Sequence, residues 1–165
     1  MRHKEIRVFP DPVLRERAQE VKRFDEGIRE VIQRMRRIMQ EAEGIGLAAP
    51  QIGILQRIIV GDTGEERVAI VNPEILQAEG EDVMEEGCLS IPGVYIEIRR
   101  PTWIKVRGID ENGDEREWEI EGLLARVVQH EIDHLNGTLI VDYLSAREYM
   151  RFQREYDRLM KDEES

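Results

Sequence analysis

Gln129-His130-Glu131-Ile132-Asp133-His134-Leu135 decides how this chain is read. The segment contains H-E-x-x-H. On a helix, residues four apart stand one above the other, so His130 and His134 can grip one ion. Glu131, between them, is placed to take a proton from water held at that ion. The chain has 3 histidines and this segment uses two of them.

The helix that carries the segment reads as residues 122–135, closed by Asn136-Gly137. At about 100° per residue, Leu123, Val127, His130 and His134 fall within about 40° of one line. Leu124, Val128, Ile132 and Leu135 gather on a second face. One apolar face suits a core. The other runs from both histidines into an apolar wall, as expected of an active site beside a hydrophobic pocket. Arg126 and Asp133 share a third side of the wheel, where they could pair across two turns.

Upstream, Ile28, Val31, Ile32, Met35, Ile38, Met39 and Ala42 repeat with the 3.6-residue period, predicting a helix over residues 25–42 with Asp25 as its N-cap. Glu43-Gly44-Ile45-Gly46-Leu47-Ala48-Ala49-Pro50-Gln51-Ile52-Gly53 follows and reads as a shaped loop. Strands are predicted at 57–60, 68–72, 74–77, 83–86, 94–98, 102–109 and 116–120, with a hairpin turn at Asn112-Gly113. Ser145-Ala146-Arg147-Glu148 is a capping box that opens a last helix reaching about residue 161. Helix, block of strands, then two helices make an α+β fold: mostly antiparallel strands around a central metal-binding helix, with a C-terminal helix.

The length of 165 residues fits one catalytic domain over 1–165, with 145–162 as its C-terminal amphipathic helix. Hydrophobic residues make up 41% and charged residues 36%, a globular balance with a heavily charged surface. The formal net charge of −11 argues against a general nucleic-acid coat. No apolar run is long enough to span a bilayer, and nothing at the N-terminus reads as a signal peptide. The single cysteine, Cys88, rules out an internal disulfide framework and points to a cytoplasmic protein.

Two histidines leave a tetrahedral ion in need of a further protein ligand. Cys88, an Asp or Glu, and His3 are the candidates, and Glu148 and Glu155 remain open on the last helix. Cys88 lies in Glu86-Gly87-Cys88-Leu89-Ser90-Ile91-Pro92-Gly93, which reads as the end of a strand bending away from its sheet. That sharply specified turn favours the thiol.

Three segments, Gly44-Ile45-Gly46-Leu47-Ala48-Ala49-Pro50-Gln51, Glu86-Gly87-Cys88-Leu89-Ser90 and Gln129-His130-Glu131-Ile132-Asp133-His134, together resemble the signature motifs of the peptide deformylase family, in the family's order. The resemblance implies a hydrolase that removes the N-formyl group from the N-terminal formyl-methionine of new polypeptides and releases formate. It implies one divalent ion held by Cys88, His130 and His134, Fe2+ foremost, with Zn2+, Ni2+ or Co2+ able to substitute. Glu131 is then the acid–base group. The Gln51 side-chain amide and the Leu89 backbone N–H are the donors to the developing oxyanion. Gly46 binds the substrate main chain, while Ile45, Leu123 and Val127 line the methionine pocket.

On the last helix Arg147, Arg151, Arg154, Arg158 and Lys161 form one stripe, opposite Tyr149, Phe152, Tyr156 and Leu159. A focused basic stripe on an acidic protein suits RNA, and the resemblance implies a ribosomal partner near the exit tunnel beside N-formylmethionyl peptides. The alternative enzyme is a zinc peptidase of the H-E-x-x-H type. A binding module with a closed structural metal would need a fourth protein ligand, for which the chain offers no obvious residue.

Overall fold

A computed structural model describes residues 3–164. Helix α1 spans Glu26–Glu41. The Asp25 side chain accepts from the Ile28 N–H, so the predicted cap is in place. Its buried face is Ile28, Ile32, Met35, Ile38 and Met39. Each such side chain contributes about 1.5–3 kcal/mol by leaving water.

Seven strands follow: β1 (Gly46–Ala48), β2 (Ile58–Asp62), β3 (Arg67–Glu79), β4 (Asp82–Cys88), β5 (Ile91–Arg100), β6 (Trp103–Ile109) and β7 (Glu115–Glu121). A five-stranded sheet runs in the order β1-β2-β3-β6-β7, and β4 pairs with β5 in a second sheet. All these pairings are antiparallel. The chain is therefore α+β as its sequence predicts.

Two differences from the sequence reading are local. The predicted strands at 68–72 and 74–77 are one strand, β3, with a register shift between Val71 and Glu74. Asn72 takes a left-handed backbone there (φ 55°). Its side-chain amide exchanges hydrogen bonds with the backbone of Val21, which anchors the bulge. The second difference lies in the 43–53 loop, which contains β1 and a 3-10 helix over Ala49–Ile52. Its glycines and alanines gave no alternating pattern to reveal a strand.

Helix α2 spans Gly122–Leu135 and α3 spans Ala146–Glu164. Leu124, Ala125, Val128 and Leu135 of α2 pack with Ile59, Ile70, Ile104 and Val106 of the large sheet, so the predicted core face lies against that sheet. A different cluster joins α3 to β5 through Phe152, Tyr156, Ile96 and Ile98. Ser145 and Glu148 exchange the predicted capping bonds. Leu159, on the side opposite the basic stripe, is 45% exposed, and Met160 packs against the cluster. Among the described residues no helix is long and apolar enough to cross a membrane.

Candidate metal centre

Two elements supply the candidate ligands. Helix α2 supplies His130 and His134 one turn apart. The end of β4 supplies Cys88, where the β4–β5 ladder shifts register between Gly87 and Cys88 and turns the thiol inward. The His130 and His134 Nε2 atoms lie 3.2 Å apart, and Cys88 Sγ is 3.3 Å from His134 Nε2. One ligand atom from each residue falls within 4.8 Å of the others. His3, Glu148 and Glu155 are not part of this cluster.

Neighbouring groups decide which ring nitrogen is offered. Glu86 Oε1 is 2.9 Å from His130 Nδ1. An ionised carboxylate only accepts, so Nδ1 carries a proton and Nε2 is the nitrogen left to face an ion. Glu86 is itself held by Arg100 through two hydrogen bonds, at 2.6 and 3.0 Å, and by Arg126 at 2.6 Å. Burial alone would raise the Glu86 carboxyl, but the bonds from His130 and Arg100 outweigh it and hold it down at about 2. At His134, burial and the neighbouring His130 push the pKa well below its ordinary value, which keeps that ring neutral.

Glu131 is buried, and burial pushes its carboxyl up to about 7. Its Oε1 finds no hydrogen-bond partner among the described residues. Gly46 on β1 lies directly against it: a Cβ there would overlap Glu131 Oε2 and come 2.8 Å from Val127 Cγ1. Gln51 is 1% exposed on the 3-10 helix after β1. Its Oε1 accepts from the Ala48 N–H at 2.9 Å, which turns the amide nitrogen toward Ser90 Oγ (3.0 Å) and Cys88 Sγ (3.7 Å). A Cβ on Gly44 would meet Leu89 Cδ1 at 2.6 Å, so the first loop sits tightly on the cysteine turn. A pocket of about 490 Å³ opens here, lined by Ile45, Gly46, Leu123, Val127, His130 and Glu131 among others. Val127 is buried at its floor, while Ile45 (46%) and Leu123 (45%) are exposed at its mouth.

Two imidazole nitrogens and a thiol converge beside a buried carboxylate oxygen that has no partner among the described residues. Without a shared positive charge that arrangement is unfavourable. With one it is a compact N₂S donor set, so the residues fit a divalent ion.

Residues 3–150 match the family model described as polypeptide deformylase. The chain belongs to that family. A peptide deformylase from Thermotoga maritima is 53% identical over 141 residues, covering 85% of this chain and 86% of that protein. The crystal structure of a Legionella pneumophila peptide deformylase superposes with a TM-score of 0.89 at 43% identity, over 99% of this chain and 97% of that one. An Ehrlichia chaffeensis deformylase in complex with actinonin gives 0.91 at 35% identity, over the full length of both. These relatives are deformylases by name and lend nothing to the zinc-peptidase alternative.

The pair that the wheel allows between Arg126 and Asp133 does not form. Arg126 does not reach Asp133; it donates to Glu86, to the Ile98 carbonyl at 2.9 Å and to the Asp82 carbonyl at 3.0 Å. Asp133 pairs instead with Arg100 at 3.1 Å. A helical wheel shows which residues share a side of α2. It does not show that Glu86, arriving on β4, competes for Arg126 with a buried carboxylate. Sequence reasoning alone does not single out Glu86, Arg100 or Ser90, which hold His130 and Gln51 in place. Glu86 and Ser90 lie two residues either side of Cys88, a signal that was available, whereas Arg100 carried none.

Proposed function

We propose that the chain removes the N-formyl group from the terminal formyl-methionine of new polypeptides by metal-assisted hydrolysis, releasing formate in the cytoplasm. The observation that carries this reading is the convergence of Cys88 Sγ, His130 Nε2 and His134 Nε2 beside the unpartnered Glu131 Oε1. Those three residues would hold the ion, with Fe2+ favoured and Zn2+, Ni2+ or Co2+ as substitutes. When bound, a divalent cation lowers the pKa of water and polarises a carbonyl.

The protein's own groups do the rest. Glu131 takes the proton of the attacking water and delivers it to the departing amine. A carboxyl pushed up by burial suits both halves of that task. Negative charge that develops on the formyl oxygen is met by the Gln51 amide, whose direction the Ala48 N–H sets, and by the Leu89 N–H. Gly46 lets the substrate main chain lie close to Glu131, and Ile45, Leu123 and Val127 receive the methionine side chain, a flexible thioether suited to an apolar slot. Arg147, Arg151, Arg154, Arg158 and Lys161 are exposed on α3 and form the surface for ribosomal RNA near the exit tunnel.

The test is to incubate formyl-Met-Ala with the metal-loaded protein and with Glu131→Ala. The reading requires formate with no free alanine from the first, and metal retained with formate release lost in the second. Alanine release, or formate release that survives Glu131→Ala, overturns it.

A further inference from the structure

Tyr143 stands outside everything assigned above. It ends a 3-10 helix over Ile140–Tyr143, between α2 and α3, and is 45% exposed. That short helix is firmly seated. Ile140 and Val141 are buried, and Asp142 accepts from the Leu139 N–H at 2.8 Å and from Arg15 at 2.6 Å.

The Tyr143 hydroxyl donates to Asp133 Oδ2 at 2.7 Å. The same oxygen accepts from Arg100 at 3.1 Å, and the Arg100 guanidinium lies over the Tyr143 ring, 5.2 Å from its centroid. The other edge of that guanidinium forks onto Glu86, and Glu86 accepts a hydrogen bond from His130 Nδ1–H. Asp133 and His130 belong to the same helix, three residues apart. The bonds therefore close a ring: His130, Glu86, Arg100, Asp133 and one turn of α2. Tyr143 touches it from the solvent side, at Asp133 and Arg100 together. A planar guanidinium with both edges occupied has one orientation, and that orientation sets where the Glu86 carboxylate stands.

We propose that Tyr143 is a positioning residue for the metal site: its hydroxyl and ring hold Asp133 and Arg100 in register, so that Glu86 fixes the His130 ring with Nε2 toward the ion. This rests on the metal-centre reading given under Proposed function. Groups that orient a metal-binding histidine directly are commonly worth about 10- to 100-fold in metal affinity; one bond further out, about 3- to 10-fold is expected.

The experiment uses Co2+-loaded full-length protein, wild type against Tyr143→Phe and Asp133→Asn. Tyr143→Phe keeps the ring over Arg100 and removes only the hydroxyl. Loss of Co2+ to excess chelator is followed alongside the visible Co2+ spectrum, with thermal unfolding measured in parallel. The expected result is about 3- to 10-fold faster loss and a shifted Co2+ band in both variants. A purely structural role would lower the unfolding temperature while leaving band and loss rate at the wild-type values, and that outcome overturns the inference. If the wild-type protein gives no Co2+ band that Cys88→Ser abolishes, the metal-centre reading falls and this inference with it. If the wild type does give that band and both variants match it, the inference alone falls.

Discussion

Gly46 and Glu131 are in contact across the site, with no room for a β-carbon between the backbone of the one and the carboxylate of the other. The expected consequence is that Gly46→Ala displaces Glu131 Oε2 and Val127 together. A misplacement of about 1 Å at a reacting group costs about 100-fold in turnover. Formate release from formyl-Met-Ala should fall by about that factor while metal content stays at one ion. Turnover within twofold of wild type would show that Glu131 does not need its present position.

Gln51→Leu removes the amide that Ala48 holds in place. Loss of one oxyanion donor lowers turnover by about 100- to 1000-fold. KM for the formyl peptide should change far less, because the interaction strengthens only as charge develops. A rise in KM at unchanged kcat would make Gln51 a binding residue.

Glu86→Gln leaves two buried arginines short of a carboxylate, and breaking a buried pair from one side costs about 3–5 kcal/mol. The sign with pH follows from the shift. The folded carboxyl lies at about 2 against an ordinary 4.5, so its stabilisation is complete above 4.5 and is lost as pH falls through about 2. Urea unfolding of metal-free wild type and variant at neutral pH and at about pH 3 should show the wild-type advantage shrinking with acid. An advantage that grows with acid would contradict the assigned charge.

Arg151→Glu with Arg158→Glu reverses the centre of the α3 stripe without touching the pocket. Ribosome affinity should fall, most steeply at low salt, and formyl-Met-Ala turnover should remain that of wild type. Co-sedimentation with ribosomes across a salt series reads the first effect. Unchanged affinity would remove the stripe from any role in ribosome docking.

Most of the fold was legible because burial imposes a period. The apolar repeats of α1 and α2, the Asp25 cap, the Ser145–Glu148 box and the glycine after Asn136 are local, and each lies where the sequence predicts it. Strand β1, Gly46-Leu47-Ala48, is too short to show a side-chain alternation, even though it adjoins both Glu131 and Gln51.

The sequence by itself determined the helix with H-E-x-x-H, the α+β class and, through three motifs in order, the deformylase family. Helical geometry forces His130 and His134 onto one side at any site this segment enters. Only the tertiary structure decided what surrounds them. Cys88 lies 46 residues before His134, and Arg100 lies 33 before Asp133. No local rule relates residues so far apart. Their meeting depends on sheet register, the shift at Gly87 and Cys88, and competition among buried charges. That competition gave Arg126 to Glu86 and left Asp133 to Arg100 and Tyr143.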